Sequence, residues 1–198
     1  MSKSISDTKA ALRQDLREKL RSLPAEEKAL ASEQISQRLR ELPAWKAARA
    51  ILCYVPTASE PDLWPMVVEA LGHNKQVALP RYAVAGDEYV PCLIRETQAD
   101  LEPGRYGILE PTQRCPVYDL KQLDFVLLPG IGFAFDGGRL GRGKGYYDRL
   151  LAGFSGFKCG VAFDCQMTDE FPLEPHDVRL NCILTPTRCF SVTGHARS

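Results

Sequence analysis

The sequence predicts an α/β fold with a mostly parallel central sheet, and three observations carry that prediction. Short apolar runs recur along the chain, among them AILCYV at 50–55, QVAL at 76–79 and DFVLL at 124–128. Segments with helical spacing lie before and between them. Pro and Gly punctuate the boundaries. Buried strands joined by helical crossovers give a parallel sheet with helices on its faces. With no internal repeat, low-complexity segment or flexible linker, residues 1–198 are expected to form one three-layer α/β/α domain. Its expected parts are a helical stretch over 1–49, an α/β core over 50–185 and a tail over 186–198.

In chain order, Leu12, Leu16, Leu20 and Leu23 paint one apolar stripe, and Ser6 or Asp7 is placed to cap that helix. Pro24, with Glu26 and Glu27 behind it, opens a second helix with acids at its positive end. Ala31, Ile35, Leu39 and Leu42 form its stripe, and Pro43 ends it before a short piece with Trp45. Ala50–Val55 is the first strand, stopped by Pro56. Asp62 is placed to cap a helix through Leu63, Val67, Ala70 and Leu71. Strands follow at Gln76–Leu79 and Tyr89–Ile94. Residues 99–118, rich in Gly and Pro, read as a long loop. Further strands are expected at Asp124–Leu128, Phe133–Phe135, Lys158–Phe163 and Asn181–Leu184, with a helix from Tyr146 to Leu151. In the tail, Phe190 and Val192 are expected to pack before the end frays.

Composition narrows the function. The 198 residues carry 25 basic and 25 acidic side chains, and 44% are hydrophobic. That apolar fraction builds a core, so the chain is not disordered. No surplus of positive charge exists to release counterions from a long nucleic acid. No run of about 20 apolar residues suggests a membrane span, and the N-terminus lacks the apolar core of a secretory signal. The seven cysteines form no Cys-x-x-Cys pair, so they read as reduced, mostly buried thiols of a cytoplasmic protein. His73, His176 and His195 do not cluster, which leaves no histidine metal site or acid–base pair.

The chemistry concentrates in residues 129–149, which hold seven of the fifteen glycines. Arg139, Arg142, Lys144 and Arg149 stand there against Asp136 and Asp148. The segment follows a strand and enters a helix. Glycine removes the Cβ that would keep a phosphate from the backbone amides. Amides, a helix N-terminus and nearby cations together suit an anion. Gly138 to Lys144 matches the start of a Walker A loop, but Gly145 replaces the Ser or Thr that would hold Mg²⁺. Gly141-Arg-Gly143 begins like a dinucleotide fingerprint and does not continue it.

The string Arg-Leu-Gly-Arg-Gly-Lys-Gly-Tyr-Tyr-Asp at 139–148, preceded by Phe135-Asp136, resembles the signature of the 5-formyltetrahydrofolate cyclo-ligase (5,10-methenyltetrahydrofolate synthetase) family. Other features resemble that family in the same order. They are Lys9 to Arg13, Glu60, Pro80-Arg81-Tyr82, Gly107 to Pro111 and Pro172 to Asp177. The likeness spans about residues 9–184. It implies an ATP- and Mg²⁺-dependent ligase of folate and one-carbon metabolism. Such an enzyme closes 5-formyltetrahydrofolate to 5,10-methenyltetrahydrofolate and releases ADP and phosphate. A formyl group on nitrogen is an amide and a poor electrophile, so phosphorylating its oxygen creates the leaving group that N10 can displace.

The resemblance also implies roles. Lys144, Arg142 and Tyr146 are the candidate catalytic residues. Lys9, Arg13 and the run Arg139, Leu140, Gly141, Arg142, Gly143, Lys144, Gly145, Tyr146 and Tyr147 are the candidate ATP contacts. Lys9 and Arg13 share a helix face, four residues apart. Glu60, Arg142, Lys144 and Tyr146, with Arg81 and Tyr82 behind them, are the candidate folate contacts. Asp148 and Asp177 are the candidate Mg²⁺ ligands. Glu174 is a rival to Asp177, which otherwise reads as a surface acid paired to Arg179. Pro61 leaves the pose of Glu60 open. A monomer with small-molecule partners, and no nucleic-acid or membrane partner, is expected. Two other readings stay open. One is a non-catalytic nucleotide- or folate-binding protein. The other is a sugar-phosphate or acyl-CoA enzyme of similar architecture.

Overall fold

The computed structural model describes residues 4–174 and 177–192. Helix α1 runs Ile5–Ser22 and α2 Ala25–Glu41. The α1 cap is Ser4, whose hydroxyl accepts the Asp7 N–H, rather than Ser6 or Asp7 as expected. Ser6 and Asp7 already lie inside the helix, where the donors that need a cap are their own. Pro24 is the α2 N-cap residue and makes no side-chain cap bond. Helix α3 is Pro43–Ala47 and holds Trp45. Strand β1 is Ala50–Leu52, shorter than expected. Helix α4 is Trp64–Gly72, and Asp62 accepts the Trp64 N–H one residue ahead of the cap position.

Strand β2 is Gln76–Ala83 and β3 Glu88–Ile94. The expected long loop then proves to contain a hairpin, β4 at Leu101–Pro103 and β5 at Leu109–Pro111. Three-residue strands flanked by Pro and Gly carry too little periodicity to be read locally. Strand β6 is Phe125–Leu128, β7 Gly132–Ala134 and β8 Arg139–Leu140. Helix α5 is Tyr146–Leu150. Strands β9 at Phe157–Val161, β10 at Met167–Thr168, β11 at Cys182–Leu184 and β12 at Cys189–Ser191 complete the fold. Val192 continues the tail by donating its N–H to Asn181; the expected fraying concerns 193–198, which lie outside the described residues, as do His176 and His195.

The main sheet has the order β12-β11-β9-β6-β1-β2-β3. Its inner strands pair parallel, and β3 and β12 close the edges antiparallel. Successive residues of a strand face opposite sides. Ile51, Val77, Phe125 and Leu127 therefore meet Ile35 and Leu39 of α2, Trp45 of α3 and Met66 of α4 on one face. Leu52, Ala78, Val126 and Leu128 meet Leu150, Phe154 and Phe133 on the other. Phe125 is fully buried and stacks on Phe157 at 5.5 Å. A buried side chain of that kind stabilises the fold by about 1.5–3 kcal/mol.

The second face is thin. It is covered by the five-residue α5 and by a small sheet, β10-β7-β8. Helix α1 meets the main sheet's helical layer only at Leu20, which packs with Ala31 of α2 and Phe163. Its Leu16 packs on Ile131, Ala134, Leu140 and Phe171, so α1 lies against the small sheet and the loop that leaves it. Gln166, fully buried, fixes this corner by donating to the Gly130 and Ile131 carbonyls.

Candidate active site

A cavity of about 370 Å³ opens where β1, β2 and β6 end. Its wall takes Tyr54 and Val55 beyond β1, Pro80 from β2, and Pro129 and Gly130 beyond β6. From β1 the chain runs outward through β2 to β3, then returns past the hairpin to β6 on the other side of β1, so this is the switch point of the sheet, where open parallel sheets leave a crevice for ligands. The glycine-rich loop forms the far wall with Arg139, Gly141, Arg142, Lys144 and Gly145, and α5 adds Tyr146, Tyr147 and Asp148.

Backbone conformation explains the glycines. Gly143 has φ 100° and Gly145 φ 65°, values that a side chain disfavours. Gly145 is the α5 N-cap residue and supplies no side-chain bond. Five residues align few peptide dipoles, so the helix end is a weak source of positive potential beside the loop's cations. Lys144 is exposed, lines the cavity and has no ion-pair partner among the described residues. Arg13 holds the loop from behind, donating Nε–H to the Gly141 carbonyl at 2.9 Å.

Arg139 is 5% exposed. Its Nη1 donates to the Pro129 carbonyl at 3.3 Å and its Nη2 to Asp148 at 2.9 Å. Its Nε is buried without a partner, an orphan donor in a cavity-lining side chain. Burying an unmatched donor is unfavourable.

Glu60 faces this loop. Its Oε2 accepts from the Thr57 N–H and hydroxyl, and its Oε1 accepts from Arg142 Nη2 at 2.8 Å. Pro61 does not turn it away, because Tyr54 donates its hydroxyl to the Pro61 carbonyl at 2.6 Å and pins the turn. Tyr146 packs edge-on against Tyr89 at 5.2 Å and Tyr82 at 6.1 Å. Tyr147 lines the cavity and also packs on the second core face. Burial first, then the Glu60 charge, pushes its hydroxyl well above the usual range, so it stays neutral.

Several expected residues lie elsewhere. Leu140 is 1% exposed in the α1 cluster, so its side chain faces away from the cavity. Arg81 donates to the Thr112 and Cys115 carbonyls, and Arg81 and Tyr82 line a separate hollow. Lys9, expected on the nucleotide, is buried and donates to Asp177 at 2.6 Å and Glu174 at 2.9 Å. Burial opposes its charge, but hydrogen bonds to Asp177 and Glu174 overcome that and raise its pKa. Arg179, the other partner expected for Asp177, bonds Asp136. No group of three or more His, Cys, Asp or Glu side chains suited to a metal occurs among the described residues. All seven cysteines are free, and burial pushes Cys53 up to about 12 and Cys92 to about 11, so neither is a nucleophile.

Sequence reading missed Asp87 and Arg105, and it met Glu110 only as part of the Gly107 to Pro111 element. Asp87 and Arg105 lie in turns with no motif and are singled out by their convergence on Tyr146, and Glu110 by accepting the Arg105 and Tyr82 N–H groups.

An α/β fold with a cation-rich glycine loop across the carboxyl ends of its parallel strands belongs to the class of open α/β proteins that keep a ligand crevice at the switch point, here one with a cationic wall. The family model for the 5-formyltetrahydrofolate cyclo-ligase family matches residues 5–186. A 5-formyltetrahydrofolate cyclo-ligase of Mycolicibacterium smegmatis is 33% identical over 72% of this chain and 76% of its own. One of Mus musculus is 27% identical over 91% of this chain and 95% of its own. The solution structure of a 5,10-methenyltetrahydrofolate synthetase from Aquifex aeolicus superposes with TM-score 0.84 at 32% identity, covering 96% of both chains. A solved structure of a 5,10-methenyltetrahydrofolate synthetase from Mycoplasma pneumoniae gives 0.72 at 27% identity, over 90% of this chain and 98% of the other. The chain belongs to the 5-formyltetrahydrofolate cyclo-ligase family and is an enzyme of that family.

Proposed function

We propose that the chain closes 5-formyltetrahydrofolate to 5,10-methenyltetrahydrofolate, with ATP as the phosphoryl donor. The observation that carries this reading is the single cavity that joins Glu60, Arg142 and Lys144 beside the orphan donor of Arg139. A pterin offers N–H groups to a carboxylate such as Glu60, and a triphosphate offers oxygens to the cations and loop amides. The two reactants then meet across the Glu60–Arg142 contact.

In this reading Lys144 and Arg142 neutralise the γ-phosphoryl group as it passes to the formyl oxygen. Arg139 Nε donates to a phosphate oxygen and loses its orphan status. Tyr146 holds the folate ring so that N10 attacks the activated carbon and phosphate leaves. The walls of tyrosines and prolines exclude water from the phosphorylated intermediate.

Asp148, Asp177 and Glu174 have the hard oxygen donors that Mg²⁺ takes, but each described carboxylate already faces Arg139 or Lys9. Mg²⁺ is usually held by one or two carboxylates plus substrate phosphates. The residues thus fit a metal that arrives with the nucleotide, with Asp148 beside the loop as its protein contact. Bound there, Mg²⁺ supplies charge neutralisation of the phosphates. A cytoplasmic monomer is consistent with this small-molecule chemistry. No helix of the described residues is long and apolar enough to cross a membrane.

The test is the near-ultraviolet absorbance of the methenyl product, followed with 5-formyltetrahydrofolate with and without ATP. ATP-dependent product supports the reading. Its absence with purified, folded enzyme rejects it.

A further inference from the structure

The β4–β5 hairpin lies outside the glycine loop, yet its turn reaches the cavity. Tyr106 in that turn has φ 60° and Gly107 φ 73°. A tyrosine with positive φ needs support from its surroundings. Glu110 supplies it. This carboxylate is 7% exposed, accepts the Arg105 N–H at 3.1 Å and accepts the Tyr82 N–H at 2.9 Å. One buried side chain thus ties the turn to β2. Gly104 leaves room for it, since a Cβ there would stand 2.5 Å from the Glu110 side chain.

From this anchored turn Arg105 reaches behind the cavity wall. Its guanidinium carbon lies 4.0 Å from the Tyr82 ring centroid and 5.6 Å from that of Tyr146. Its Nη1 donates to the Tyr146 hydroxyl at 2.8 Å. The Tyr146 hydroxyl donates to Asp87 Oδ1 at 3.2 Å, an oxygen that also accepts from Tyr82 at 2.6 Å and from Arg105 at 3.4 Å. Three distant segments therefore meet at one point: the β2–β3 tip, the hairpin turn and the first residue of α5. The wall they build includes Tyr89, Tyr106, Ile108, Leu109 and Tyr146. Helix α5 is too short to stiffen the Tyr146 ring alone.

We propose that Arg105 is a positioning residue for the cyclisation. It fixes the Tyr146 ring in the cavity wall and couples it to the β4–β5 turn, so that the folate side of the cavity has one shape. Arginine suits the task, because its planar fork donates to a hydroxyl while its face stacks on a second ring. A lysine keeps the charge but not both contacts. The inference rests on the reading that this cavity takes 5-formyltetrahydrofolate.

The experiment compares wild type, Arg105→Ala, Arg105→Lys, Tyr146→Phe and the Arg105→Ala/Tyr146→Phe double variant. Steady-state kinetics are measured with each substrate in turn. Hydrogen exchange is followed over residues 101–111. Losing a hydrogen bond from a charged donor corresponds to about a tenfold change. Arg105→Ala is expected to raise KM for 5-formyltetrahydrofolate by about that factor, leave KM for ATP within about twofold, and speed exchange across the hairpin. Arg105→Lys falls between it and wild type. The double variant is no worse than the worse single variant, because both remove the same contact. Equal effects on both substrates, or additive single effects, overturn the proposal. A wild type without ATP-dependent product rejects the activity reading. The coupling is then decided by exchange alone: faster hairpin exchange in Arg105→Ala supports it, and unchanged exchange overturns it.

Discussion

Arg139 Nη2 lies 2.9 Å from Asp148 Oδ1, and the two side chains are only 3% and 15% exposed. The pair closes the glycine loop at its base, joining its first cation to its last acid. Removing one partner strands the other in a dry site. Arg139→Met is therefore expected to lower unfolding free energy by about 3–5 kcal/mol, the range for breaking a buried pair. Asp148→Asn keeps an acceptor and should lose about 1–2 kcal/mol. Urea melts measure both. If Asp148 also meets the metal, Asp148→Asn raises the Mg²⁺ concentration for half-maximal rate, a shift that Asp136→Asn does not produce.

Lys144 separates function from stability. It is exposed and has no ion-pair partner among the described residues, so Lys144→Ala should change stability by no more than about 0.5 kcal/mol. Turnover should nevertheless fall at least about a hundredfold, because the transferring phosphoryl charge loses its mobile cation. Near-normal turnover with a normal melt would exclude Lys144 from the reaction.

The Lys9 ammonium, held by Asp177 and Glu174, predicts an alkaline limb of stability. Its folded pKa is raised above the ordinary 10.5. The charged form is favoured in the native state, so its contribution is fully present below the unfolded pKa and is lost as pH rises through the folded value. Wild type should lose stability between mildly and strongly alkaline pH by more than Lys9→Met does. Parallel melts that track each other across that range would show that the contact contributes nothing.

Glu60 and Arg142 make the fourth case. Glu60→Gln keeps the Thr57 contacts in shape but weakens acceptance from Arg142 and from a pterin. KM for 5-formyltetrahydrofolate should rise about tenfold or more, with KM for ATP changing less. The opposite ranking of the two substrates would move Glu60 to the nucleotide side.

Much of the fold was legible because it rests on local signals. Ala50–Leu52, Phe125–Leu128 and Cys182–Leu184 are wholly buried runs between breakers, and the stripes of α1 and α2 have a clear helical period. The hairpin at Leu101–Pro111 was not legible, since three-residue strands present no pattern. Leu140 is a candidate nucleotide contact only by its place inside the glycine loop's motif. Strand alternation turns it into the α1 cluster while neighbouring Arg139 turns toward the cavity. Lys9, a candidate nucleotide contact by resemblance, has carboxylate partners 165 and 168 residues away. No spacing rule reaches that far.

By itself the sequence determined the α/β class, the glycine loop with its cations, and the family likeness. Each of these depends on residue type and near neighbours. Tertiary structure alone decided which charges are free and which are paired. Lys144 stays open to the cavity, while Arg139 and Lys9 each hold a carboxylate. It also decided that Arg105 meets Tyr146 behind the wall. The physical reason is that ion pairing and burial depend on distance in space, and the sheet's crossovers bring together segments that the chain keeps far apart.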